Sequence, residues 1–277
     1  MKFNILILSP PQDPNYKHSL CFLEVAEVLK YSLEDLGYDV LMGSNLIKDG
    51  FNIILGYHFL DGKKLPPGFR YIIYQLEELG AEGGWPPHII ETLRSDCFVW
   101  DYCEQNIEYL AQRGIQAYLK PLGFHPKMAR IPHKDNKDID ILFYGSINHR
   151  RRKILHHLQK RFNTHILFGL YGKQRDEWIG RSKIVVLIYY YEKKQFDYVR
   201  LFYLMNNKVF IIIEDTPQRK YEDFLIYAQY DEIVDACAYY LENEQLRNAL
   251  AEKAYRQFSN YPETEYLRDV LRKMKIR

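Results

Sequence analysis

Short runs of β-branched, aliphatic and aromatic residues alternate along the chain with stretches whose apolar positions recur at helical spacing. The first run is FNILIL (3–8), followed by a loop over 10–14. A helical stretch over 19–36 then carries Leu20, Val25, Val28 and Leu29, and the run YDVLM closes what reads as a βαβ unit. Further buried runs follow at FNIILGY, RYIIYQL, DCFVWDY and QAYLKPL, with helices predicted over about 87–93 and 104–113. Between 124 and 137 the stretch HPKMARIPHKDNK has prolines and charges but no hydrophobic period, as an interdomain linker does. A second alternation follows: IDILFYG, a helix over about 150–162, THILFGLYG, a short helix near Asp176, SKIVVLIYYY, a helix over about 196–205, and KVFIIIED. The tail reads as helical, EIVDACAYYL and then EQLRNALAEKAYRQF, with Leu246, Leu250 and Phe258 on an apolar face and Lys253 and Arg256 on a wetter one.

This pattern predicts an α/β protein of two Rossmann-like domains facing a cleft, each with a parallel, doubly wound sheet. The expected boundaries are 1–125 for the first domain, 126–137 for the linker and 138–277 for the second domain with its helical tail.

Composition narrows the function. The 277 residues are 47% hydrophobic and 27% charged, and 38 basic against 36 acidic residues leave a net charge of +2. Such a balance gives no drive toward nucleic acid, so any cationic site must be local. The opening apolar run is too short for a secretory or membrane-spanning segment, and no later run reaches about 18 residues. A cytoplasmic protein without a transmembrane segment is expected, with peripheral membrane contact left open. Cys21, Cys97, Cys103 and Cys237 have no CxxC spacing and no histidine at a metal-site interval, which predicts reduced thiols and neither zinc nor disulfides.

The stretch DIDILFYGSINHRRRKIL carries the sharpest chemistry. A strand that ends in Gly145 and Ser146 leaves free backbone N–H groups at a helix N-terminus, where the dipole favours an anion. Arg150, Arg151 and Arg152 follow, and guanidinium forks match phosphate oxygens. The alternative is a solvated basic face, although cations at a helix start oppose the dipole. Asp197 and Arg200 are spaced to form an intrahelical pair. Glu214 and Asp215 end an apolar strand, where ribose or sugar hydroxyls are gripped in doubly wound sheets; exposed turn acids are the alternative. Asp138 and Asp140 have D-x-D spacing but precede their strand, at the end away from a ligand, so no metal site is expected. His156 and His157 are adjacent on a helix and do not share a face.

In the first half, His58 ends FNIILGYH and Glu77 ends YIIYQLEEL. Either can take a proton from an acceptor hydroxyl, with Glu77 ranked first because it follows a buried run. The segment AEGGWPP after it reads as an acceptor loop. Asp101 and Lys120 stand at other strand ends and could reach substrate.

The stretch SKIVVLIYYYEKKQFDYVRLFYLMNNKVFIIIED (182–215) resembles the donor-domain core of GT-B-fold glycosyltransferases, in particular a short bacterial family 1 or spore-maturation-type group. IIYQLEEL, CFVWDYCEQNIEYL, KPLGFHP and the Phe-Tyr-Gly-Ser turn support it in order along the chain. The sequence departs from that group at Leu187 and Tyr189, where Asn and His are expected, and at Asp197, where Glu is expected. The resemblance implies metal-independent transfer of a sugar from a nucleotide-sugar donor to a hydroxyl on a glycan, lipid-linked sugar or small molecule, as in polysaccharide biosynthesis. No cofactor beyond the nucleotide sugar is implied. Arg200 would stand near the donor diphosphate, with Asp197 beside the nucleotide. A nonenzymatic nucleotide-sugar-binding or scaffold protein of the same fold is the alternative, motivated by Leu187 and Tyr189. A dehydrogenase is disfavoured, because neither SPPQDP nor GSINHR supplies GxGxxG.

Overall fold

Buried strands joined by helical crossovers form two parallel sheets in the computed structural model, which describes residues 1–80, 86–192 and 196–276. The first unit contains β1 (Lys2–Ile7), α1 (Leu23–Asp35), β2 (Asp39–Met42), β3 (Gly50–Leu55), β4 (Arg70–Gln75), β5 (Phe98–Asp101), α2 (Glu104–Ala111) and β6 (Tyr118–Leu119). Its strand order is β2-β1-β3-β4-β5-β6, and every pairing is parallel. Ile5 lies beside Ile53, Ile53 beside Ile72 and Ile72 beside Phe98, which stacks apolar side chains across the sheet centre. Leu6, Ile54, Ile73 and Val99 pack with Ile89, Ile90 and Leu110.

The second unit contains β7 (Ile139–Tyr144), α3 (His149–Arg161), β8 (Thr164–Leu167), α4 (Gly172–Arg181), β9 (Ser182–Leu187), α5 (Tyr198–Asn206), β10 (Ile211–Glu214), β11 (Ile226–Ala228), α6 (Ile233–Glu242) and α7 (Glu244–Phe258). The order β11-β10-β9-β7-β8 is again wholly parallel. Ile141, Phe143, Ile184, Val186 and Ile212 pack with Ile154, Leu155, Ile233 and Cys237. The chain thus has the expected α/β class, with two Rossmann-like units.

Three local expectations change. The predicted helix over 19–36 begins as a 3-10 turn, Lys17–Phe22, and the one over 87–93 is 3-10 throughout, Pro87–Arg94, with a proline at its start. On α7 the buried face is Arg247, Ala251, Ala254 and Phe258, whereas Leu246 is exposed. Arg247 turns inward because its guanidinium donates to the carbonyls of Tyr240 (2.7 Å) and Leu241 (3.3 Å), which end α6.

The boundaries also differ from those expected. The units are Met1–Lys127 with Tyr261–Arg277, and Met128–Asn260. The final helix, α8 (Glu263–Lys273), therefore belongs to the first unit and packs against α1. The cause is a short pairing in which Phe124 N–H donates to Tyr261 O (2.8 Å) and Glu263 N–H donates to Phe124 O (2.8 Å). Residues of the expected linker are tied into the second unit, where Asn207 Oδ1 accepts from the N–H groups of Arg130 (2.7 Å) and Ile131 (2.8 Å).

Candidate functional site

In the second unit the strand order changes direction between β7 and β9, and the loops leaving these two strands carry most of the residues singled out above. Such a switch point opens a crevice at the carboxyl ends of the strands. Gly145, with φ of +133°, makes the turn after β7. A Cβ there would lie 3.5 Å from Arg200 Nη1 and 3.7 Å from Arg151 Nη1, so two guanidinium groups flank its backbone. Asn148 caps α3 by accepting from Arg151 N–H (2.9 Å), and its amide donates to Tyr190 O (2.6 Å), which fixes the β7 loop to the β9 loop.

The arginines of α3 have separate fates. Arg151 is buried; its Nε donates to Ile188 O and its Nη1 to Ser146 O, both at 2.8 Å. Burial, followed by the neighbouring charge of Arg200, pushes its guanidinium down to about 9. It stays charged at neutral pH, in a setting that an incoming anion would relieve. Arg150 forms a two-pronged pair with the buried Glu214, Nη1 standing 2.6 Å from Oε2, and also donates to Tyr189 O (3.0 Å). Arg152 is exposed and stands outside this cluster, as does the exposed Ser146 side chain. The conflict between cations and the α3 dipole is resolved by carbonyls at the strand ends, which accept from Arg150 and Arg151.

Asp197 caps α5, accepting from Arg200 N–H (3.2 Å), and its Oδ2 holds Arg200 through Nε (2.7 Å) and Nη2. Arg200 Nη1 reaches across to Tyr144 O (3.0 Å) at the end of β7. Burial alone would lift the Asp197 carboxyl, but the Arg200 charge and hydrogen bonds outweigh it and hold it below its usual range. Asp215 pairs with Arg219 at 2.6 Å through both Nε and Nη2. With Thr216, Pro217, Glu222 and Gln229 they line a polar hollow of about 560 Å³ at the ends of β10 and β11.

The first unit brings together the two candidate bases. Gly56, with φ of +78°, turns the chain out of β3 into a 3-10 turn, Tyr57–Leu60, that carries His58. His58 Nδ1 lies 3.5 Å from Glu77 Oε1. Burial lowers the imidazole to about 4, so it is neutral at neutral pH. Glu77 is half-buried, and two amides fix its backbone. Gln75 accepts from Glu77 N–H (2.6 Å) and donates to Glu77 O (2.7 Å), and Asn106 donates to the same carbonyl (2.9 Å). Residues 81–85, most of the expected acceptor loop, lie outside the described residues.

Asp101 and Lys120 are not substrate-facing. Asp101 is fully buried, accepting from Gln75 (2.8 Å), Cys103 N–H (2.8 Å) and Asn106 (3.2 Å), while burial pushes its carboxyl up to about 8. Lys120 is fully buried in an ion pair with Glu263 at the start of α8. Asp138 pairs with Arg181 and Asp140 with Lys183 (2.7 Å). Among the described residues no cluster of three or more His, Cys, Asp or Glu side chains is arranged for a metal ion. The sequence reading passed over Gln75, Asn106, Asn148 and Glu263. Of these, Asn148 had a visible signal, a capping residue directly before a helical run.

The chain has two parallel-sheet α/β units and the GT-B glycosyltransferase fold, and solved glycosyltransferase structures superpose on it. An α-glucosyltransferase solved with UDP and a DNA 13-mer matches with a TM-score of 0.66 and 10% identity over 99% of both chains. Sucrose-phosphate synthase from Thermosynechococcus elongatus matches at 0.60 and 10% identity, again over 99% of both. TarM matches at 0.58 and 12% identity, with 92% of this chain covering 58% of TarM. In sequence, an uncharacterised protein of Acanthamoeba polyphaga mimivirus is 29% identical over an alignment of 143 positions that covers 48% of each chain. This chain therefore matches about half the length of that curated relative. No protein-family model matches the chain.

Proposed function

We propose that the protein is a glycosyltransferase that moves a sugar from a nucleotide-sugar donor to a hydroxyl acceptor. The observation that carries this is the pairing of Arg151 and Arg200 over the Gly145 backbone at the switch point of the second unit. Two cations and a helix N-terminus converge there on a turn whose φ of +133° favours glycine, which leaves the backbone open to a diphosphate. The UDP bound to the α-glucosyltransferase neighbour supports a nucleotide donor.

In this reaction the acceptor oxygen bonds to the anomeric carbon as the bond from that carbon to the diphosphate oxygen breaks. Arg200 and Arg151 meet the charge that grows on the departing diphosphate, without a metal. Asp197 orients Arg200, and Gly145 and Ser146 give backbone access. Arg150 acts from behind, through Glu214 and Tyr189 O. Glu214 and Asp215 border the donor on the β10 side, and Arg152 adds only local positive potential. Glu77 takes the acceptor proton. His58, neutral and buried, orients Glu77 and stands second as base. The acceptor class is a glycan, lipid-linked sugar or small molecule, in a setting such as polysaccharide biosynthesis. None of the relatives named above is described as of the spore-maturation type, so the narrower subgroup rests on the sequence resemblance alone. A cytoplasmic setting is supported by four unpaired thiols. Among the described residues no helix is long and apolar enough to cross a membrane.

Leu187 and Tyr189, both buried where the resemblance expects Asn and His, favour a second reading, a nonenzymatic nucleotide-sugar binder or scaffold. A thermal-shift screen against UDP, GDP, ADP and CMP sugars tests the donor, since a ligand that binds only the folded chain raises its melting temperature. Release of free nucleotide in the presence of an acceptor panel then separates enzyme from binder. No shift with any sugar nucleotide overturns both readings.

A further inference from the structure

Tyr189 is 6% exposed and its buried hydroxyl has no hydrogen-bond partner among the described residues. Burying such a group unpaired costs folding free energy, so an orphan in a native structure calls for a physical reason. Its backbone is fully used: the N–H donates to Glu214 Oε2 and the carbonyl accepts from Arg150 Nη1, both at 3.0 Å. The preceding Ile188 packs with Ile154 and Leu155 under α3. The phenol lies within electrostatic reach of Asp197 and Arg200 at the start of α5 and of Glu214 at the end of β10. Burial first, then Asp197, Tyr227 and Glu214, with Arg200 opposing, raise the pKa of the phenol above its ordinary value, so it remains an O–H donor.

Neighbouring acceptors are already engaged. Asp197 holds Arg200 with both oxygens, Glu214 holds Arg150 and Tyr189 N–H, and the Tyr227 hydroxyl donates to Lys220 O (2.6 Å). Among the described residues no acceptor is left for the hydroxyl, which leaves room for a partner from outside the chain. Carboxylates outnumber cations among the groups acting on the phenol, which disfavours an anion at that point and favours a neutral oxygen.

We propose that the Tyr189 hydroxyl is a specificity-determining contact that donates a hydrogen bond to a neutral hydroxyl of the nucleotide sugar, on its ribose or its hexose. This rests on the donor assignment above. It also gives Tyr189, a departure from the resembled group, a positive role in place of a loss.

The test is Tyr189→Phe, which removes one oxygen and keeps the ring. The full-length protein is titrated calorimetrically with UDP, GDP and ADP, their glucose conjugates, and inorganic pyrophosphate, and its melting temperature is measured without ligand. Affinity for the nucleotide ligand is expected to fall about five- to tenfold, while pyrophosphate binds as before. The melting temperature of the unliganded variant should be equal or higher, because an unpaired buried hydroxyl is gone. A loss already present with the nucleoside diphosphate puts the contact on the ribose; a loss confined to the sugar conjugate puts it on the hexose. Unchanged nucleotide affinity, or an equal loss for pyrophosphate, overturns the proposal alone. Wild-type protein that binds none of the nucleotides or conjugates overturns the donor assignment along with it.

Discussion

The Nδ1 atom of His58 stands 3.5 Å from Oε1 of Glu77, joining the ends of β3 and β4, whose residues are neighbours in the sheet. Glu77 is half-buried and its backbone is clamped by Gln75 and Asn106, whereas His58 is buried and neutral. Glu77→Gln is therefore expected to reduce transfer by about 10²-fold or more, with donor affinity unchanged, because the amide keeps size but cannot accept a proton. His58→Ala should cost less. The reverse order in a nucleotide-release assay would move the base to the histidine.

The same histidine makes stability depend on pH. Its folded value of about 4 lies below the ordinary 6.5. As pH falls from about 6.5 toward 4, the unfolded chain takes up a proton that the folded chain refuses. Stability from the neutral ring is thus complete above 6.5 and is lost through that window, by about 3 kcal/mol at most. His58→Gln should flatten the melting temperature against pH between those limits. A wild-type-like slope in the variant would assign the acid sensitivity to other groups.

Most of the sheet was legible from runs such as FNIILGY and SKIVVLIYYY, since a strand buried on both faces has a strong local signature. The strand Ile226–Ala228 was not, because three residues carry no alternation. The placement of α8 was hidden for a different reason. It depends on Lys120 meeting Glu263 and on Phe124 pairing with Tyr261 and Glu263, contacts between residues far apart in sequence that no local period encodes. At the candidate site, the positions at strand ends were readable, but their partners were not. The three arginines of α3 look alike in sequence, and only the fold separates a buried Arg151, a paired Arg150 and an exposed Arg152.

Arg150 and Glu214 form a pair whose acid is fully buried. Removing the cation alone strands that carboxylate, so Arg150→Ala is expected to destabilise the protein by about 3–5 kcal/mol, seen as a lower denaturation midpoint. Replacing both, Arg150→Met with Glu214→Leu, should recover much of the loss, because no buried charge remains. Additive losses in this double-mutant cycle would mean that the two side chains act separately.

Arg200 tests the chemistry itself. Its Nε and Nη2 are held by Asp197 and its Nη1 by Tyr144 O, so the guanidinium is fixed before any ligand arrives. A cation held in place loses little on binding and gains most as charge develops on the leaving diphosphate. Arg200→Ala should therefore lower kcat by about 10²-fold while weakening donor binding only a few-fold. Arg200→Lys keeps the charge but not the fork, and should fall between the two because a single ammonium cannot serve Asp197 and Tyr144 O together. Equal losses in kcat and donor affinity would make Arg200 a binding residue, and the charge on the departing diphosphate would then fall to Arg151 and the N-terminus of α3.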